Sequence, residues 1–185
     1  MESFSEKPYA MTSLFFLAFA ESSFFPIPPD ILLIAIGVSA PKLSLRAAFW
    51  CSLGSVFGGI LGYYIGWGLM ESVGNTIIEV YNGQEAWSVF LANYHEYGTW
   101  FLAAAAFSPI PYKISTIASG AAQMNILTFI LISSLGRTGR FFLVGGLIYV
   151  LGPKVKVYID KYLDKLSLIF IVLLIGGFVL VKYIF

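Results

Sequence analysis

The chain has 185 residues, 58% of them hydrophobic and only 11% charged, with a formal net charge of +1. Soluble domains carry about 25% charged residues, so this composition excludes a water-soluble domain and predicts an integral membrane protein of one domain. A near-neutral balance leaves no basic footprint for a nucleic-acid partner, and a single cysteine, Cys51, excludes an internal disulfide.

The first apolar segment is Tyr9–Phe25. It contains Leu17-Ala18-Phe19-Ala20, an Ala-x-Ala pattern of the kind signal peptidase cuts. The stretch before it carries Glu2 and Glu6 against Lys7 alone, the wrong charge for a signal peptide, so the segment is expected to be retained. A proline break follows at 26–30, then Ile31–Ala40. Leu43–Met70 is long enough to span, since about 20 residues cross a bilayer. Glu71–Glu96 is more polar and reads as a loop plus an amphipathic surface helix. Gly98–Phe107 and Ile114–Ala122 flank a second break at 108–113, and Asn125–Leu151 and Leu166–Ile184 read as further spans.

The two breaks match. Pro26-Ile27-Pro28-Pro29-Asp30-Ile31 returns as Pro109-Ile110-Pro111-Tyr112-Lys113-Ile114, with Asp30 replaced by Lys113. The correspondence continues through Ile34-Ala35 against Ile117-Ala118 and Gly37 against Gly120, and resumes at Ser52-Leu53-Gly54 against Ser134-Leu135-Gly136. Proline lacks an amide hydrogen and pushes the residue before it out of helical geometry. Pro26, Pro28 and Pro29, like Pro109 and Pro111, therefore cannot sit inside a helix. Irregular backbone at membrane depth survives only inside protein or beside a watery cavity. The expected fold is an all-α membrane protein. It has two re-entrant helical hairpins in an inverted repeat, residues 9–70 and 98–151, joined by a connector at 71–96. About three transmembrane helices complete it, the last at 166–184.

Orientation follows from charge. Lys7, Lys42, Arg46, Lys154, Lys156, Lys161 and Lys165 fall on one side, which the positive-inside rule makes cytoplasmic together with the N-terminus. The other side has Lys182 alone, near the end of the final span, and Trp50, Trp67, Trp87 and Trp100 fall near the two interfaces.

The candidate site lies in the apolar stretches. Arg137 is about 15 Å into its span at 1.5 Å per residue, and Arg140 is one turn further on. With Lys113 at the second break, three cations converge near mid-depth, where a charge is costly unless paired or hydrated. Glu21 and Asp30 flank the first break. They are candidates for proton exchange, and an Asp30–Lys113 pair across the repeat axis is the structural alternative. Cations and helix N-termini favour an anionic group, most simply a phosphate. In a bilayer a phosphate normally arrives attached to lipid. Glycines 54, 58, 62 and 66 of the first repeat form small-xxx-small steps for close helix packing. His95 reads as an interfacial residue. No nucleophile–base set, metal spacing or cofactor motif is visible, so neither an enzyme nor a cofactor is expected.

The run Glu21–Asp30, the run Phe107–Gly120 and Gly136-Arg-x-x-Arg-Phe-Phe resemble the DedA family, specifically its YqaA-like branch. That family shares its VTT domain with eukaryotic lipid scramblases, and the likeness covers roughly Met11 to Leu151. The resemblance implies re-entrant hairpins in an inverted repeat. It also implies transport of lipids such as undecaprenyl phosphate or phosphatidylethanolamine, often linked to the proton gradient. Glu21 and Asp30 match the family's carboxylates around the first break. Better-known members carry two arginines flanking the second break. Ser108 lies near the first of those positions and Lys113 near the second, with Arg137 and Arg140 on the next helix. The expected protein is thus a multi-pass inner-membrane flippase or scramblase for a phosphate-bearing lipid. Lys113, Arg137 and Arg140 would bind the phosphate, with Glu21 and Asp30 as proton-coupling or charge-pairing groups. A homo-oligomer is compatible with the sequence. The alternatives are a proton-coupled transporter of a small soluble ion and a non-transporting membrane scaffold.

Overall fold

The computed structural model describes residues 8–25, 27–108 and 111–152. The span expected at 166–184 and the lysines beyond Gly152 lie outside the described residues, as do Pro26 and Pro109. Among the described residues the structure is helical, with no strand. The helices are α1 Pro8–Ser23, α2 Asp30–Ser39, α3 Ser44–Leu69, α4 Asn75–Val80, α5 Gln84–Phe107, α6 Tyr112–Ala121 and α7 Ile126–Leu151. Two helical stretches are long and apolar enough to cross a membrane, Pro41–Val80 and Ile126–Leu151. At 1.5 Å per residue α3 and α7 are each about 39 Å long, enough to cross an apolar layer of about 30 Å with some tilt. By the same rise α2 and α6, ten residues each, reach only about 15 Å.

The prolines start these short helices rather than interrupt them. Pro29 is the N-cap of α2 and Pro111 that of α6. A missing amide costs nothing there, because the first amides of a helix have no partner within it. The first bond of α2, Leu33 N–H to Pro29 O, is 2.9 Å.

The polar connector is organised differently from a loop and surface helix. After α3 the chain passes through a π-helical turn, Met70–Gly74, into α4 without leaving the helical path. It reverses at Tyr81–Gly83, and α5 then runs unbroken from Gln84 to the second break. The physical reason is that Glu71, Glu79, Glu85 and Glu96 are compatible with helix, and the single turn signal is Asn82-Gly83. Asn82 takes a left-handed φ of 50° there.

Hydroxyl side chains are buried between the helices beside the apolar core, while large apolar side chains also cover the outside. Buried positions include Ser22, Ser44, Ser52, Ser55, Ser115, Thr116, Ser119 and Ser133. The outer faces carry exposed Phe16, Ile31, Leu131, Leu135 and Val150. Small residues let backbones approach closely, and hydroxyls bond across helices when hydrocarbon lies outside. A Cβ on Gly54 would collide with the Phe15 carbonyl, and one on Gly58 with that of Phe19. On the neighbouring face of α3, Gly66 lies against the Ile117 carbonyl, and Gly120 of α6 lies against that of Tyr63. The glycine steps of α3 thus seat α1 on one side and α6 on the other.

Contact order gives helix direction. Pairs Phe15–Gly54 and Phe19–Gly58 rise together, so α1 runs parallel to α3. Tyr112–Gly59 and Thr116–Gly62 make α6 parallel to α3 as well. Gly37–Ile148 and Asp30–Arg140 make α2 parallel to α7. Across the centre, Ala48 meets Gly145, Ser55 meets Arg137 and Tyr63 stacks on Phe129, so α3 and α7 are antiparallel. The first break therefore follows a helix running with α3, and the second opens one running the same way. Both breaks lie level with the middle of α3 and α7. One apolar cluster, around Leu14, Leu33, Ile36 and Phe141, packs beside the first break. A second, around Tyr63, Leu102, Tyr112 and Phe129, packs beside the other.

Candidate functional site

The mid-height of α7 supplies two arginines, and each finds a carboxylate at the first break. Arg137 Nη2 donates to Glu21 Oε2 at 2.8 Å, and Arg140 Nη2 donates to Asp30 Oδ2 at 2.9 Å. Their settings differ. The Arg137 side chain is 3% exposed and its partner 16%, whereas Arg140 and Asp30 are 20% and 19% exposed.

Arg137 is held on every side. Its Nε donates to Ser55 Oγ, and Ser55 in turn bonds Ser22 Oγ at 2.7 Å. Ser22 also donates to Glu21 Oε2 at 3.0 Å, closing a ring of four side chains from α1, α3 and α7. The guanidinium is stacked between the rings of Tyr112 and Phe141, each centroid 4.7 Å from Cζ. Desolvated cations gain most from such faces. Ser55 is the position that corresponds to Arg137 in the sequence repeat, and the two meet where α3 crosses α7.

Arg140 joins the two breaks. Its Nη2 donates to Asp30 after the first break, and its Nη1 donates to the Ser108 carbonyl before the second. A planar fork with fixed donor directions suits this double contact better than a lysine would. Lys113 adds a third link: its Nζ donates to the Phe25 carbonyl at 3.4 Å. Asp30 opens α2, where the helix dipole favours an acid. Lys113 sits in the first turn of α6, where the dipole disfavours a cation. A residue that breaks a local rule at a junction of breaks is a functional candidate.

These contacts correct one sequence expectation. Asp30 pairs with Arg140, not with Lys113, because the guanidinium can satisfy the carboxylate and the Ser108 carbonyl together. The ammonium of Lys113 turns to a backbone carbonyl instead. Glu21 pairs with Arg137 and accepts from Ser22. Of the prolines, Pro28 and Pro29 precede α2 and Pro111 precedes α6, with Pro29 fully buried. Among the described residues no group of three or more His, Cys, Asp or Glu converges as a metal site would require.

Sequence reasoning missed Ser22, Tyr112 and Phe141, which complete the cage around Arg137. For Ser55 a signal existed, since aligning the two proline motifs and the Ser-Leu-Gly runs after them places it opposite Arg137.

The VTT domain family matches residues 27–150, which spans α2 to α7 and includes Asp30, Lys113, Arg137 and Arg140. A protein of Haemophilus influenzae is 33% identical over 178 residues, covering 96% of this chain and 92% of its own length. One of Histophilus somni is 33% identical over 174 residues, covering 94% and 91%. Both are described as uncharacterised. No solved structure matches the chain. With helices long and apolar enough to cross a membrane and this family match, the protein is a membrane protein, and the chain belongs to the VTT-domain (DedA) family of transporter-like proteins.

Proposed function

We propose that the protein moves a phosphate-bearing lipid, such as a polyprenyl phosphate or phosphatidylethanolamine, across the inner membrane as a flippase or scramblase. The observation that carries this reading is the bridge made by Arg140 between both breaks, together with the link from Lys113 to the Phe25 carbonyl. Both cations are partly exposed and both make their contacts at the breaks, level with the middle of α7, where a charge is costly unless it is paired or holds an anion. Antiparallel α3 and α7, with half-length α2 and α6 laid against them in matching directions, support re-entrant hairpins in an inverted repeat. The likeness to the YqaA-like branch rests on the motif runs alone. On this reading the protein is multi-pass, with its N-terminus and the lysine-rich loops cytoplasmic.

The three basic residues divide the work. Arg140 and Lys113 receive the phosphate, and Asp30 occupies Arg140 between transport events. Arg137 is enclosed in this conformation and reaches a phosphate only when α1 moves away. Here it holds Glu21. Proton binding to Glu21 or Asp30 would free its arginine and couple transport to the proton gradient. The test is lipid translocation in proteoliposomes, comparing wild type with Arg140→Gln and Lys113→Gln. The reading predicts transport by wild type and at least a tenfold loss in Arg140→Gln. A wild-type rate no higher than that of protein-free liposomes, under an imposed pH gradient, would overturn it.

A further inference from the structure

We propose that buried hydroxyls on α6, α7 and α5 hold a file of water that carries protons between a cleft beside His95 and Glu21. The proposal rests on the transport reading only for the use made of the proton at Glu21.

The inner face of α6 carries a hydroxyl at every turn: Tyr112, then Ser115 and Thr116, then Ser119, all fully buried. Both ends of this stripe are connected. At one end Ser119 Oγ and Tyr94 Oη are 2.7 Å apart, and Tyr94 lines a cleft of about 210 Å³ together with His95, Thr99, Asn125 and Thr128. That cleft adjoins a larger one of about 480 Å³, with which it shares His95 and Gln123. At the other end Thr116 Oγ1 donates to the Lys113 carbonyl at 2.9 Å and lies 3.3 Å from the Ser22 carbonyl, while Ser22 Oγ donates to Glu21.

Between the ends three hydroxyls, on Tyr112, Ser115 and Ser133, make no hydrogen bond to the protein. The Tyr112 and Ser133 hydroxyls are close neighbours, so one water can serve both. Buried polar groups are nearly always satisfied, and a hydroxyl that is not calls for a water. Three such groups along one seam, inside a membrane protein, call for more than one. The spacing fits. One helical turn rises about 5.4 Å, close to the span of two successive O–H···O bonds of about 2.8 Å each. A single water can therefore bridge the Ser115 and Ser119 hydroxyls, one turn apart.

Such a file moves a proton without net change in any hydroxyl, since each hydroxyl or water oxygen accepts one proton and passes another on; the Ser22 carbonyl has no proton to pass, so a water between Thr116 Oγ1 and Ser22 Oγ completes the file. The proton enters from water at the His95 cleft and ends on Glu21 Oε2. The groups that face Glu21 are Arg137 from α7 and Ser22 on its own helix, with Ser55 from α3 behind them. The Tyr112 ring of α6 covers Arg137, and the Asp30–Arg140 pair is the next charged neighbour. A proton on Glu21 removes the charge that holds Arg137.

Two measurements test the path. The first is proton entry into proteoliposomes that contain polyprenyl phosphate and a trapped pH-sensitive dye, after an external acid step with the membrane potential clamped. Wild type is expected to admit protons faster than protein-free liposomes. Ser115→Ala/Ser133→Ala should lose at least nine-tenths of that rate, and Ser39→Ala, on an exposed hydroxyl, none. Wild-type entry at the protein-free rate, or a double variant as fast as wild type, overturns the proposal. The second uses wild type alone: radiolytic hydroxyl labelling, in which bound water oxidises its neighbours. Tyr112 should be labelled while the equally buried Phe129 is not, and an unlabelled Tyr112 overturns the proposal. The two readings separate cleanly. Lipid movement with an unlabelled Tyr112 removes the path alone, and proton entry without lipid movement removes the lipid reading alone.

Discussion

Replacing Glu21 with glutamine keeps its shape and removes its charge. The Arg137 cation then stays enclosed without a counter-ion. Removing one partner of a buried ion pair costs about 3–5 kcal/mol. Two features of this site lower that figure. Ser55 still accepts from Nε, and two aromatic faces still cover the guanidinium, each worth about 0.5–2 kcal/mol to a cation. These contacts remain in the variant, so the expected cost of Glu21→Gln is about 2–4 kcal/mol. The Asp30–Arg140 pair is several-fold more exposed on its arginine side, and Arg140 keeps its bond to the Ser108 carbonyl. Asp30→Asn should therefore cost only about 1 kcal/mol, near the upper end for exposed pairs. Equilibrium unfolding in mixed micelles at neutral pH measures both. Adding Arg137→Met to Glu21→Gln removes the stranded charge, so the double variant should be more stable than the sum of the single losses by about 2 kcal/mol. Equal losses for Glu21→Gln and Asp30→Asn, or a strictly additive double variant, would refute the assignment of Glu21–Arg137 as the enclosed pair.

Other consequences are as specific. Gly120→Ala places a methyl group against the Tyr63 carbonyl, whereas Gly146 has nothing within 4 Å. Thermal unfolding should show a loss of about 2–3 kcal/mol or more for the first and a small gain or no change for the second. Gln123 holds a left-handed φ of 54° where Met124 N–H bonds back to Ser119 O at the end of α6. Gln123→Gly should stabilise by about 1 kcal/mol in the same assay, since only glycine occupies that region without strain. Lys113→Glu should leave folding nearly intact, because an acid suits the first turn of α6. It should also abolish uptake of an anionic head group, measured as lipid translocation.

Much of the framework could be read from the chain. The α3 and α7 spans show as long apolar runs, and the prolines mark where α2 and α6 begin, because their chemistry acts locally. Mid-depth Arg137 and Arg140 stand out because a charge there is rare. Partner choice was not legible. Glu21 and Arg137 lie 116 residues apart, and their meeting depends on the glycine contacts that bring α1 onto α3 beside α7. The matched Asp30 and Lys113 positions suggest a pair, but a motif that recurs in sequence fixes no contact, and each residue finds another partner. The start of α5 was misplaced because its glutamates look like a surface loop when read alone, while its second half carries the packing against α7 through Ala106 and Gly136. The cage of Tyr112 and Phe141 around Arg137 arises from α6 and α7 together and has no local signature.

Head-group discrimination tests the account most directly. Polyprenyl phosphate and the matching polyprenol, identical except for the phosphate, would be followed across the same proteoliposome membrane with wild type and Arg140→Gln. The account predicts that wild type moves the phosphate and not the alcohol, and that Arg140→Gln moves neither. Equal movement of phosphate and alcohol by wild type, or undiminished phosphate transport by a folded Arg140→Gln, would contradict it.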